Sequence, residues 1–160
     1  MIAVDTNLLV YAHRPEMPFH DRARQVLTEA VAAPEPVCVP WPCAHEFLAV
    51  VSNPRIFRDP TPIDVALDAV RRLRASLSGG FLTEGEGYLD ALERIARPAM
   101  LQGAIVHDAR VAALCLVHGV RVLWSADRDF SRFPDLTVVN PLPKGCLLYT
   151  SDAADDAMNV

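Results

Sequence analysis

The sequence feature that most restricts the fold is a repeated alternation between short apolar runs and longer segments with helical spacing. Ile2-Ala3-Val4 is such a run, and Asp5-Thr6-Asn7 directly after it is a typical helix start. Val37-Cys38-Val39 is a second run, and apolar residues at helical spacing follow it. Strands that alternate with helices build parallel sheets, so the sequence predicts an α/β fold with a central, mainly parallel sheet flanked by helices.

The same alternation continues as far as residue 139. Further strands are predicted at 120–124 and 136–139, and helices at about 6–12, 19–33, 42–53, 65–74, 88–97 and 101–118. Ser78-Gly79-Gly80 is expected to end the fourth helix, and Gly119 to end the last helix in a left-handed conformation. A chain of 160 residues suits one such domain and is too short for two.

Composition and charge exclude several classes of protein. Hydrophobic residues make up 51% of the chain and charged residues 22%, unlike a disordered protein, and no apolar run is long enough to cross a bilayer. The first residues lack the pattern of a signal peptide, so a cytoplasmic location is expected. A net charge of −5 argues against holding nucleic acid by charge alone, so any RNA-binding surface must be local.

The chain changes character after Pro143. Leu147-Leu148-Tyr149-Thr150 gives way to an Ala- and Asp-rich end that matches none of the earlier pattern. We therefore expect one domain over residues 1–143 and a non-native or disordered tail over 144–160.

The cysteines lack a metal or disulfide motif. Cys38, Cys43, Cys115 and Cys146 include no Cys-x-x-Cys pair, and in an intracellular chain they are expected to be buried thiols. Cys43 and His45 are conceivable metal ligands, but no second ligand pair follows at zinc spacing. Buried thiols are therefore the preferred interpretation.

Four acidic residues stand where an open parallel sheet collects its functional groups. Asp5 follows the first strand, Glu46 lies in the helix after the second, Asp108 is near a helix start, and Asp127 follows a later strand. Two carboxylates about 4 Å apart repel each other by roughly 4 kcal/mol at an effective dielectric constant of about 20, and a divalent cation would remove that repulsion. Ligation by oxygen alone favours Mg²⁺ or Mn²⁺, which activate water and stabilise charge on a phosphate.

Each of these acids also has an ordinary structural explanation. Asp5 is a suitable cap for the helix that begins at Thr6, and Glu46 suits a first helical turn, where the helix dipole favours an acid. Asp108 lies at the edge of the predicted buried stripe of its helix, and Asp127 is a suitable cap for the turn that follows it. Taken one position at a time, structural and functional roles both remain open.

Taken together, the motifs resemble those of the PIN-domain ribonucleases. The matching segments are residues 2–11 with Asp5-Thr6-Asn7, Glu46 in a helix after a short strand, residues 107–113 with His118-Gly119, and Ser125-Ala126-Asp127-Arg128-Asp129-Phe130. They occur in the order of the family's motifs and cover about residues 1–140. The pattern is most similar to VapC-type toxins of bacterial toxin–antitoxin pairs, and it implies a PIN-like three-layer fold.

The resemblance also implies an activity, a cofactor and partners. It implies an endoribonuclease that depends on Mg²⁺, with Mn²⁺ as a substitute, and that hydrolyses RNA phosphodiester bonds with an activated water. A small antitoxin encoded beside the toxin would inhibit it, and the toxin would form a homodimer. The implied catalytic and metal-binding residues are Asp5, Glu46, Asp108 and Asp127, with Asp129 as a weaker metal ligand.

Several positions bear on this resemblance. Ser125 stands where the family often has threonine, and it keeps a hydroxyl that can bond a neighbouring carboxylate or phosphate. Arg14, Arg110 and Arg128 are the arginines nearest the motifs and suit phosphate contacts, although a solvated helix face is the preferred explanation for any one of them. The tail after Pro143 matches nothing in the family.

Two other interpretations stay open. A haloacid-dehalogenase-like phosphatase also begins with a strand that ends in aspartate, but its Asp-x-Asp pattern needs an acid where this chain has Asn7. A catalytically inactive PIN-like module would bind RNA or a partner without cutting. The presence of all four acids argues against that module.

Overall fold

The centre of the fold is a five-stranded sheet in which every pairing is parallel. A computed structural model describes residues 1–143, so Cys146 and the predicted tail over 144–160 lie outside the described residues. The strand order is β3-β2-β1-β4-β5. The strand bounds are β1 Ile2–Val4, β2 Val37–Pro40, β3 Gly80–Leu82, β4 Val122–Trp124 and β5 Thr137–Val139.

Six α-helices and one short 3-10 helix connect the strands within residues 1–143. The bounds are α1 Thr6–His13, α2 His20–Ala32, α3 Trp41–Val51, α4 Ile63–Ser76, α5 Tyr88–Ala96, α6 Ile105–Val117 and the 3-10 helix Arg128–Arg132. None of these helices combines the length and the apolar character needed to cross a bilayer.

The chain reverses its direction across the sheet once. It adds β2 and β3 on one side of β1, then crosses back to place β4 and β5 on the other side. Because parallel crossovers are right-handed, this reversal puts α1 to α4 on one face of the sheet and α5 and α6 on the other. The helix contacts agree, since α1 packs on α2 and α3, α3 on α4, and α5 on α6. The predicted three-layer α/β fold is therefore confirmed, and its crevice lies at the carboxyl ends of β1 and β4.

Strand β3 is the element that the sequence pattern did not predict. The break at Ser78-Gly79-Gly80 does end helix α4, but the chain then pairs Gly80–Leu82 alongside β2. A strand with two apolar residues after a glycine pair carries almost no local signal. Its position is set by the neighbouring strand, with Val39 opposite Phe81.

Helix α6 is shorter and more buried than its sequence pattern indicates. It begins at Ile105 rather than at 101, and Gly103 just before it has a φ of +70°. The buried surface is wider than the predicted stripe, which includes Ala109 and Ala112, because all five residues from Val111 to Cys115 are buried. The helix packs against α5, β2, α3 and the 3-10 helix, so several of its faces are covered. It ends as predicted at Gly119, which has a φ of +72°.

The prediction of buried thiols is confirmed for the three cysteines within the described residues. Cys38, Cys43 and Cys115 are all free and buried. Cys38 lies on β2 and Cys115 on α6, and burial raises the pKa of both thiols. These side chains therefore behave as small apolar groups in the core.

The tight approach of Gly79 to β2 yields a test of this packing. A Cβ at Gly79 would lie 2.8 Å from the carbonyl oxygen of Val37, which already accepts the Gly79 N–H. We expect Gly79→Ala to lower the free energy of unfolding by about 1–3 kcal/mol, because the backbone of β2 must move.

Gly85→Ala is the matched control for that measurement. A Cβ at Gly85 meets no atom within 4 Å, so the change should be under about 1 kcal/mol. Urea unfolding of both variants measures the difference. Equal stability of the two variants would contradict the described approach of Gly79 to Val37.

Candidate active site

Asp5 stands at the point where β1 becomes α1. Its backbone N–H donates to the carbonyl of Trp124 at 3.0 Å, which extends the pairing of β1 with β4. Its carboxylate then caps α1 by accepting from the Thr6 N–H at 2.8 Å. The predicted capping role is confirmed, and the side chain lies directly at the crevice where the strand order reverses.

Four donors surround the Asp5 carboxylate. One oxygen accepts from the Ser125 hydroxyl at 2.6 Å and from the Asn7 amide at 3.1 Å. The other accepts from the Thr6 N–H and from the Cys43 thiol, the latter at 3.4 Å. Burial nevertheless raises the pKa of Asp5 to about 6, since desolvation outweighs the hydrogen bonds.

A small polar network fixes the segment after β4 relative to α1. The Asn7 amide donates to Ser125 Oγ at 3.1 Å, and the Ala126 N–H donates to Asn7 Oδ1 at 3.2 Å. Ser125 Oγ also accepts from the Asp127 N–H at 2.9 Å. The hydroxyl of Ser125 thus bonds a neighbouring carboxylate, as its sequence position predicted, and it also sets the position of Asp127.

Glu46 lies in the second turn of α3 and is exposed. The hydroxyl of Thr6 donates to Glu46 Oε2 at 2.7 Å, and the carbonyl of Cys43 lies 3.3 Å from the same hydroxyl. Thr6 therefore connects the starts of α1 and α3. The sequence pattern gave no sign of this role, because the two residues are 40 positions apart.

Three further carboxylates converge beside the end of β4. Oxygen atoms of Asp108, Asp127 and Asp129 all lie within 4.8 Å of one another. Asp108 is in the first turn of α6, whereas Asp127 and Asp129 start the 3-10 helix. Asp127 Oδ1 also accepts the Asp129 N–H at 2.8 Å, which confirms its predicted capping role.

The electrostatics connect this group with the other two acids. The pKa of Asp108 is raised to about 7, mainly by burial and in addition by the charges of Asp127, Asp5, Asp129 and Glu46. The other four acids named from the sequence therefore all act on Asp108 at the carboxyl edge of the sheet. Asp129, which was expected only as a weaker metal ligand, lies within the closest group of three.

This donor set fits a divalent cation. Asp108, Asp127 and Asp129 offer only carboxylate oxygens, the ligands preferred by Mg²⁺ and Mn²⁺. Burial and the neighbouring negative charges both disfavour the ionised form of Asp108, although Arg132 lies 3.8 Å from Asp129. A bound cation would remove that repulsion and favour the ionised form.

Two of the arginines singled out from the sequence are engaged in contacts of their own. Arg14 pairs with Glu16, donates to Thr61 Oγ1 at 2.8 Å, and lies over the ring of Phe57 at 4.2 Å from the centroid. Arg110 pairs with Glu84 on the segment after β3. Arg14 thus connects the end of α1 to the loop between α3 and α4.

The family model for the PIN domain matches residues 2–136. The chain belongs to the PIN-domain family. That match covers strands β1 to β4 and all five acids, and it stops just before β5. Membership in the PIN-domain family leaves the haloacid-dehalogenase-like alternative without support.

Similar proteins agree with this assignment. Ribonuclease VapC43 of Mycobacterium tuberculosis is 36% identical over 142 residues, which cover 89% of this chain and 96% of VapC43. The crystal structure of M. tuberculosis VapC20, described as a sarcin-ricin loop cleaving toxin, has a TM-score of 0.59 at 20% identity and covers 82% of this chain and 93% of VapC20. A toxin–antitoxin complex from Klebsiella pneumoniae has a TM-score of 0.57 at 18% identity, with 88% and 98% covered.

The raised pKa values predict how the metal-free PIN domain responds to pH. Asp108 binds its proton more tightly in the folded state than in the unfolded state, so its contribution to stability falls as pH rises from about 4 to about 7. Asp108→Asn should therefore match the parent near pH 4 and exceed it by about 1–2 kcal/mol near pH 8, after allowance for solvent screening.

Thermal melts in EDTA across this pH range measure the effect. Asp90→Asn is the control, because Asp90 also lies in the first turn of a helix, α5, but is exposed and outside the group of acids. Added Mg²⁺ should stabilise the parent more than Asp108→Asn. A constant stability difference between parent and variant at all pH values would refute the described repulsion.

Proposed function

We propose that the chain is a metal-dependent endoribonuclease and the toxin of a type II toxin–antitoxin pair. The observation that carries the proposal is the meeting of five carboxylates at the carboxyl edge of a PIN-domain sheet. The curated relative VapC43 is named a ribonuclease, which supports hydrolysis of RNA phosphodiester bonds.

The cation would be held by the closest group of acids. Asp108, Asp127 and Asp129 would ligate Mg²⁺, or Mn²⁺ in its place, while Asp5 and Glu46 add negative charge around them. When bound, such an ion supplies activation of water and stabilisation of charge on the phosphate.

The protein's own groups would position and deprotonate the water. Asp5 is fixed by its four donors, so it serves to hold the site's geometry and field. Glu46 is exposed and is oriented by the Thr6 hydroxyl, so we assign it the role of accepting the proton from the attacking water. Ser125 and Asn7 act as positioning residues for Asp5 and Asp127.

The first functional prediction is metal-dependent cleavage of single-stranded or loop RNA. EDTA should abolish cleavage of a mixed RNA pool, and Asp108→Asn should lower the rate by about 100-fold or more, because it removes a charge that would hold the cation that stabilises the phosphate. Asp90→Asn should cut at the parent rate. The choice of substrate is supported by the structural neighbour VapC20, a toxin that cleaves the sarcin-ricin loop.

Two results would count against this proposal. Cleavage that persists in EDTA, or an Asp108→Asn variant that cuts at the parent rate, would remove the acids from the mechanism. A parent protein that binds RNA in Mg²⁺ without cutting would indicate the catalytically inactive module instead.

The proposed toxin would have two kinds of protein partner. We propose a small antitoxin that places a basic side chain against the acids, because a guanidinium is attracted to clustered carboxylates as a metal is. The solved toxin–antitoxin complex from K. pneumoniae supports such a partner. We also propose a homodimer, as the family resemblance implies, acting in the cytoplasm where RNA and antitoxin are present.

Co-purification with the protein that the adjacent gene encodes tests the proposed antitoxin contact. The Asp5→Asn, Asp108→Asn double variant should bind that protein about 10- to 100-fold more weakly, as expected for the loss of charge-assisted hydrogen bonds. Asp90→Asn should bind normally. Equal binding by the double variant would exclude this mode of inhibition.

The homodimer has its own test. Light scattering on the free chain should give twice the monomer mass. A monomer at micromolar concentration would exclude the dimer.

A further inference from the structure

Three aromatic side chains form a cluster beside the candidate active site. The rings of Trp41 and Phe81 meet edge to face, with centroids 4.8 Å apart and an interplanar angle of 81°. The ring of His45 meets Trp41 in the same manner at 6.5 Å. His45 is exposed, and Trp41 and Phe81 are half-buried, so the cluster reaches the surface.

The position of the cluster follows from the sheet. Trp41 is the first residue of α3, directly after the carboxyl end of β2, and His45 lies one turn further along the same helix face. Phe81 is on β3, the parallel neighbour of β2, opposite Val39. Trp41 and His45 therefore follow the carboxyl end of β2, the strand next to β1, on the same edge of the sheet as the crevice between β1 and β4.

Two residues of the cluster lie on the same helix, α3, as one of the acids. His45 directly precedes Glu46, whose carboxylate accepts from the Thr6 hydroxyl. The first two turns of α3 thus carry both the aromatic rings and one of the five carboxylates. Helix α3 therefore connects the rings with the acidic group through Glu46 and Thr6.

Charge gives a reason for an aromatic contact at this place. The net charge of −5 argues against binding of RNA through its phosphates alone. Two arginines near the motifs, Arg14 and Arg110, already pair with Glu16 and Glu84. Aromatic rings bind unpaired bases without any charge, and they accept every base because each has a flat π face.

We propose that Trp41, His45 and Phe81 form a subsite that stacks an unpaired base of single-stranded RNA next to the cleaved phosphodiester bond. This inference rests on the proposed ribonuclease function. It assigns the recognition of single-stranded RNA to α3 and β3, apart from the carboxylates that act on the phosphate.

Binding is measured on the Asp108→Asn background in Mg²⁺, so that the RNA stays intact. The probes are a short single-stranded RNA of mixed sequence and a ribose-phosphate chain of the same length without bases. Trp41→Leu should weaken binding of the RNA by about 5- to 150-fold and leave binding of the base-free chain unchanged. Trp41→Phe should restore most of the loss, since it keeps an aromatic face.

Two further variants, one within the cluster and one outside it, test the interpretation. His45→Ala changes an exposed side chain and should weaken RNA binding without lowering the melting temperature. Phe19→Leu alters an aromatic residue that is 46% exposed and outside the cluster, so it should bind as the background does.

The outcomes separate this subsite from the ribonuclease activity. Unchanged RNA affinity in both Trp41→Leu and His45→Ala would overturn the subsite, and so would an equal loss for RNA and the base-free chain. Cleavage by the parent together with either result would leave the proposed function standing. RNA binding that depends on Trp41, in a parent that never cuts, would support the subsite and refute the nuclease.

Discussion

The architecture depends on the burial of one carboxylate, that of Asp5, where β1, α1, α3 and the end of β4 meet. A buried charge is tolerated only when donors surround it, and each of those elements supplies or supports one. Thr6 and Asn7 come from α1, Cys43 from α3, and Ser125 from the end of β4. The same contacts that satisfy Asp5 thereby hold two layers of the protein in register.

A second constraint is the repulsion that the neighbouring acids exert on Asp108. Desolvation and neighbouring carboxylates both act against the charged form of Asp108. The acids that would bind an ion therefore lower the stability of the fold at this edge of the sheet. This is a common property of sites that are arranged for chemistry rather than for packing. The apolar core beneath, with buried strands such as Val37–Pro40, supplies the compensating stability.

Much of this could be predicted from the sequence, because the elements that carry the acids have strong local signals. Four strands, the helices and the order of the motifs follow from periodicity and capping residues. The capping and functional roles of Asp5 and Asp127, set against each other in the sequence, turn out to be compatible, since a residue that caps a helix at a strand end also faces the crevice. Strand β3 and the hydroxyl of Thr6 escaped prediction for one shared reason: both are defined by residues far away in the chain.

The placement of the acids on different kinds of element has a mechanical consequence. Asp5 is anchored between sheet strands and a hydrogen-bonded cage, whereas Asp129 is exposed on a 3-10 helix of five residues. One wall of the site is thus stiff and the opposite wall is a short turn joined to the core mainly through Phe130, which is 2% exposed. Ions of different radius can then be accommodated by a shift of that turn alone, while the sheet keeps its shape.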